Sequence, residues 1–126
     1  MAWREYCEPD ALTTLRVITT ADKTKGTVEL VENSIGYWMD SVDYSATNTN
    51  EQNTGLLVVA GDRIEVDAAT GTYNAGDLVY DSSTSPTGVV NLTSGAGRVG
   101  VGVVLEKKVL GAQGKIQIKF SGAGIV

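Results

Sequence analysis

Lys115-Ile116-Gln117-Ile118-Lys119-Phe120 alternates without interruption. In an extended chain successive side chains point to opposite faces, so Ile116, Ile118 and Phe120 share one face and the polar residues the other. A period of two over this length predicts a strand with one face in a core. Arg63-Ile64-Glu65-Val66-Asp67 repeats the pattern, with Ile64 and Val66 inward and Arg63, Glu65 and Asp67 outward. Residues 56–60 form a short apolar run of the length of a buried strand. Residues 15–20, 27–31, 78–80, 89–92 and 98–105 read as further strands. Gly, Asn, Ser and Asp signals separate them, at 23–26, 33–34, 76–77 and 94–97. A helical turn is expected at most near Pro9. The expected fold is all-β: a small β-barrel or β-sandwich of nine or so short strands, with an extended N-terminal arm.

Composition supports that reading. Val, Thr and Ile supply 36 of 126 residues, and these branched side chains fit a pleated surface better than a helix. Glycine is frequent at 15, proline scarce at 2, and 42% of residues are hydrophobic, too many for a disordered chain. The length suits a single domain, read as an arm and first strand over 1–22 and a β domain over 23–126.

Function classes fall away in turn. There is no histidine, which removes the commonest general base and zinc ligand and every Ser-His or Cys-His pair. Cys7 stands alone, so no internal disulfide can form and no base is at hand to activate the thiol. A net charge of −5 disfavours nucleic acid, whose binding needs Lys and Arg against phosphate. No apolar run approaches the ~20 residues of a membrane-spanning helix, and Met1 to Pro9 lacks the apolar stretch of a signal peptide.

Two glycine motifs fail on their neighbours. Gly95-Ala96-Gly97-Arg98-Val99-Gly100 has dinucleotide-binding spacing, but a strand pattern follows where the phosphate-binding helix would start. Gly71-Thr72-Tyr73-Asn74-Ala75-Gly76 has P-loop spacing, but Asp77 and Leu78 replace the required Lys and Ser or Thr. The carboxylates Asp40 and Asp43, and Asp62, Glu65 and Asp67, form no calcium-loop pattern. No catalytic residue, cofactor or metal is expected, and the chain is read as not an enzyme.

Aromatics supply the remaining signal. Trp3 and Tyr6 sit in a segment with no period and read as interface anchors, while one of Tyr37 and Trp38 is assigned to the core. The arm is expected to be loose in the isolated protein and dispensable for folding. Residues 45–55, polar throughout, read as a mobile loop long enough to carry a role.

Three segments carry a resemblance. Asn74-Ala75-Gly76-Asp77-Leu78-Val79-Tyr80-Asp81 comes first, then Val99-Gly100-Val101-Gly102-Val103-Val104-Leu105, then Gly114-Lys115-Ile116-Gln117-Ile118-Lys119-Phe120. Together with Ser34-Ile35-Gly36-Tyr37 and residues 55–61, they resemble the DUF2190-type family of tailed-phage capsid decoration (cement) proteins. Residues 1–22 depart from the family's usual opening. The resemblance implies a β-rich domain on the outer surface of a phage head, made in the bacterial host cytoplasm, that stabilises the lattice of the major capsid protein. It implies a homo-oligomer, a trimer in preference to a dimer, with no nucleic acid and no membrane as partner. Trp3, Tyr6, Asn48, Asn50 and Glu51 are then the expected capsid or subunit contacts. The alternatives are a phage or cell-surface binding module for carbohydrate or host adhesion, which needs exposed aromatics on a flat platform, and a small carboxylate-only hydrolase.

Overall fold

A single strand of 15 residues, Thr54–Ala68, organises the chain. The computed structural model describes residues 2–123; the apolar pair Ile125-Val126 of the sequence lies outside them. In chain order the strands are β1 (Arg4–Glu5), β2 (Leu12–Ile18), β3 (Val28–Val31), β4 (Ser34–Trp38), β5 (Thr54–Ala68), β6 (Gly71–Tyr73), β7 (Leu78–Ser82), β8 (Val89–Val90), β9 (Arg98–Val104), β10 (Lys108–Leu110) and β11 (Gly114–Ser121). A 3₁₀ turn, Pro9–Ala11, is the only helical element among the described residues. The fold is all-β, a curled antiparallel sheet that forms half a barrel. β6 and β10 make a separate two-stranded ribbon.

Pairing follows from β5. Ala60 and Gly61 pair with Thr13 and Leu12 of β2 and also with Ser121 and Phe120 of β11, so β2 and β11 lie on opposite edges of β5. β1 continues the line of β2, with Arg4 opposite Glu65 and Glu5 opposite Ile64. β4 pairs Tyr37 with Val58 and Trp38 with Leu57 on the β11 side, and β11, β9 and β7 follow in order beyond. Residues 4–18 thus belong to the same sheet as the later strands.

Gly61-Asp62 reads as a turn in sequence, yet the strand runs through it. Ile118 pairs with Ile64 and Phe120 with Gly61, so β5 carries one residue more than β11 across this stretch. That is a β-bulge, which bends and twists a strand and so contributes to the curl. At the far end of β11, Gly122 accepts from Ile35 N and donates to Val59 O at 2.9 and 2.7 Å. A Cβ there would stand 1.9 Å from the Ile35 carbonyl oxygen, so only glycine fits between the two strands.

The alternation read from the sequence sorts the core. Ile64, Val66, Ile116, Ile118 and Phe120 are buried in one cluster, as expected. Leu57 and Val59 point the other way and make a smaller cluster with Trp38, flanked by Val17 and Val31. Asp67 departs from its expected outward place. It is buried, 2.6 Å from the Nζ of Lys115, its cross-strand partner, and β8 pairs parallel beside it. A carboxylate is tolerated there because the ammonium compensates for lost water.

Candidate functional site

Trp3 is not an exposed anchor. It is 1% accessible, with its indole edge-on to Phe120 at 5.3 Å between ring centroids and tilted against Tyr37 at 6.3 Å. Its Nε1 donates to the Gly88 carbonyl at 2.8 Å and its backbone N–H to Gly26 at 3.1 Å. The expectation of a loose arm is corrected with it, because pairing of Arg4 and Glu5 onto β5 delivers residue 3 over the core. A two-residue strand shows no period, so no sequence pattern could announce it. The assignment of one of Tyr37 and Trp38 to the core undercounts: both are buried, on opposite faces of β4.

Tyr6 is exposed, at 44%, and held in place. The Arg4 guanidinium lies 4.7 Å over its ring, and its hydroxyl donates to Glu65 Oε2 at 3.3 Å. Arg4 Nε donates to the other Glu65 oxygen at 3.0 Å, and Arg4 Nη2 donates to the Tyr6 hydroxyl.

Residues 45–55, expected as a mobile loop, are tied together by hydrogen bonds. Asn53 is buried at their centre. Its amide donates to Ser45 O at 2.9 Å and its Oδ1 accepts from Asn48 Nδ2 at 3.0 Å, while its carbonyl accepts from Thr19 N and Oγ1. Asn48 is thereby committed to the loop's own network. Asn50 and Glu51 remain exposed at its tip, with the Asn50 carbonyl accepting from Thr54 Oγ1 at 2.6 Å. The legible signal for this order is the density of Asn, Ser and Thr, which bond nearby backbone.

The Gly76-Asp77 turn that leads into β7 has a structural use. Gly76 takes a left-handed φ of +93°, Asp77 Oδ2 accepts from Asn74 N at 2.9 Å, and Gly76 N and Asp77 O bond Val104 of β9. Asp81, fully buried, accepts from the backbone of Ser82, Thr87 and Gly88 at 2.7 to 3.0 Å and from Thr87 Oγ1 at 3.1 Å. One carboxylate therefore closes the 82–88 loop, and the same Gly88 receives Trp3.

Titratable groups supply little chemistry. Burial, then the hydrogen bond from its hydroxyl to Glu5 at 2.9 Å, pushes the Tyr37 phenol far above its ordinary value; burial raises Tyr73 as well. Among the described residues, no three Asp, Glu or Cys side chains gather to hold a metal ion. No helix among them is long and apolar enough to cross a membrane. The surface depressions are shallow, such as a groove of about 480 Å³ between residues 15–18 and the 31–34 turn. Another of about 100 Å³ is lined by Glu65, Glu106, Lys108 and Lys115. What the surface presents is a fixed Tyr6–Arg4–Glu65 cluster and an ordered polar tip at Asn50-Glu51. No family model, no curated protein and no solved structure matches this chain.

Proposed function

We propose that this chain is a capsid decoration protein, which binds the outer surface of a tailed-phage head and stabilises the lattice of the major capsid protein. One observation carries the reading. The three segments that resemble the decoration family lie in β7, β9 and β11, which are consecutive neighbours in one antiparallel sheet. Their marked residues, Gly76, Asp77 and Asp81, close turns by hydrogen bonds to backbone. A repeated unit on a lattice needs a rigid body and fixed surface groups, and it stabilises the assembled shell by binding it in preference to free subunits. The ordered 45–55 loop and the held Tyr6 suit that task, since groups fixed beforehand lose little entropy on docking. Tyr6, Asn50 and Glu51 are the proposed contacts; Trp3 and Asn48 are taken up by the fold. A carbohydrate platform is less well supported, because Trp3, Tyr37, Trp38 and Tyr73 are all buried.

The test is co-sedimentation with undecorated heads of the source phage, followed by heating of the decorated particles. Saturable binding and a raised temperature of shell rupture are expected. Heads that pellet without the protein, or rupture at an unchanged temperature, would refute the reading.

A further inference from the structure

We infer that the free edge of β2 is a self-association site, at which a second copy of this chain pairs antiparallel across a two-fold axis centred on Leu15. The inference is independent of any role on a phage head. β2 runs for seven residues, pairs only with β5 among the described residues, and turns its other edge to solvent. Thr13, Thr14, Leu15 and Arg16 are all exposed, and Ile18 is 58% accessible. Exposed edges are usually blunted by lysine, proline or a covering loop. This one has a single charge, Arg16, and its register shift against β5 places the extra residue, Val59, on β5, so β2 itself runs regularly.

The sequence of the strand selects both the occupant and the register. A two-fold axis normal to the sheet keeps each face on its own side, so only registers that pair residues of like face are allowed. Centred on Arg16, the axis would set two guanidinium groups directly opposite, which is destabilising. Centred on Thr14, it would set Leu15 against the second copy's Thr13 and Arg16 against its Leu12, leaving Leu15 without an apolar partner. Centred on Leu15, it sets Leu15 against the second copy's Leu15 and Arg16 against the second copy's Thr14. Leu15 lies on the face of Leu57, beside the groove that Val31 also lines. In the same register Ile18, the strand's one isoleucine, lies toward the second copy's Leu12, which already packs against the core. Both exposed apolar side chains of β2 thus find apolar partners in one arrangement. The match is of the strand to itself, so the occupant is a second copy rather than an unrelated peptide.

Cysteine scanning in a Cys7→Ser background reads the register directly. Opposed residues of antiparallel strands have Cα atoms about 4.5–5.5 Å apart, within disulfide reach. Leu15→Cys should therefore oxidise to a covalent dimer on its own. Arg16→Cys alone should not, because its counterpart is displaced by two residues along the strand. A mixture of Arg16→Cys and Thr14→Cys should cross-link. Light scattering on the unmodified chain should give twice 13.2 kDa, falling to one chain's mass in Leu15→Lys with the circular dichroism spectrum unchanged. A monomeric unmodified chain, a trimer indifferent to Leu15→Lys, or equal cross-linking at positions 15 and 16 would each overturn the inference. These measurements use free protein, so their failure leaves head binding to be judged on its own assay.

Discussion

At the scale of single residues, Trp3 and Tyr37 join the first strand to the core. Truncating a fully buried aromatic removes its transfer energy and leaves a cavity, so Trp3→Ala should cost about 3–5 kcal/mol in a denaturant melt. A loss below about 1 kcal/mol would mean that the indole does not pack where Phe120 and Tyr37 lie. Tyr37 makes a prediction in pH. Its phenol is raised above the ordinary value of 10.0 by burial and by Glu5. The unfolded chain releases this proton near its ordinary value while the folded chain retains it. The stabilisation is therefore whole below pH 10 and declines as pH climbs above it toward the folded value. Melting temperatures taken upward from pH 8 should fall more steeply in the parent than in Tyr37→Phe, with Tyr73 responsible for part of the slope that remains. Equal slopes would contradict the assignment. The sequence marks Trp3 as conspicuous but not as buried, because burial here depends on a contact with Gly88, 85 positions away.

At the scale of elements, legibility depends on period and length. β11 and the second half of β5 announce themselves because alternation over five or six residues matches the two-residue period of a strand and not the 3.6-residue period of a helix. β1, β6 and β10 are two or three residues long, too short to show a period, and they exist because longer neighbours offer them backbone partners. The continuity of β5 through Gly61-Asp62 is hidden in the sequence, since a bulge and a turn use the same residues. Two elements can be tested by single changes. Asp81→Ala would strip four donors of their acceptor in a buried site, and charge-assisted bonds are worth roughly 1.5–3 kcal/mol each before relaxation. A loss of about 3 kcal/mol is expected, with hydrogen exchange rising first across 82–88; exchange rising no faster there than elsewhere would count against the carboxylate's role. Gly122→Ala would press a methyl group onto the Ile35 carbonyl, and overpacking of this kind typically costs about 1–3 kcal/mol. An unchanged melt would show that β4 and β11 are free to separate there.

At the scale of the whole molecule, the side chain that anchors the N-terminal segment and those proposed to dock are different, Trp3 in the core and Tyr6, Asn50 and Glu51 at the surface, and this allows folding to be separated from docking. In sequence, residues 1–9 have the character of a dispensable arm. The structure gives residues 2–9 the Trp3 ring, the β1 pairing with Glu65 and Ile64, and a bond to the Gly88 carbonyl. The ring alone accounts for about 3–5 kcal/mol, against a total stability of about 5–15 kcal/mol for an ordinary domain. Deleting residues 1–9 should therefore abolish a cooperative thermal transition, where a true arm would leave it intact. Exposed changes should behave in the opposite way. Tyr6→Ala and Glu51→Lys alter side chains outside the core, and surface substitutions of this kind usually stay within about 0.5 kcal/mol. Their melts should match the parent, while their co-sedimentation with undecorated heads should weaken. Full head binding by both would remove Tyr6 and the 45–55 tip from the docking surface and direct attention to the 82–88 and 94–97 loops. A cooperative melt from the truncated chain would return residues 1–9 to the role of an arm, and Trp3 with them.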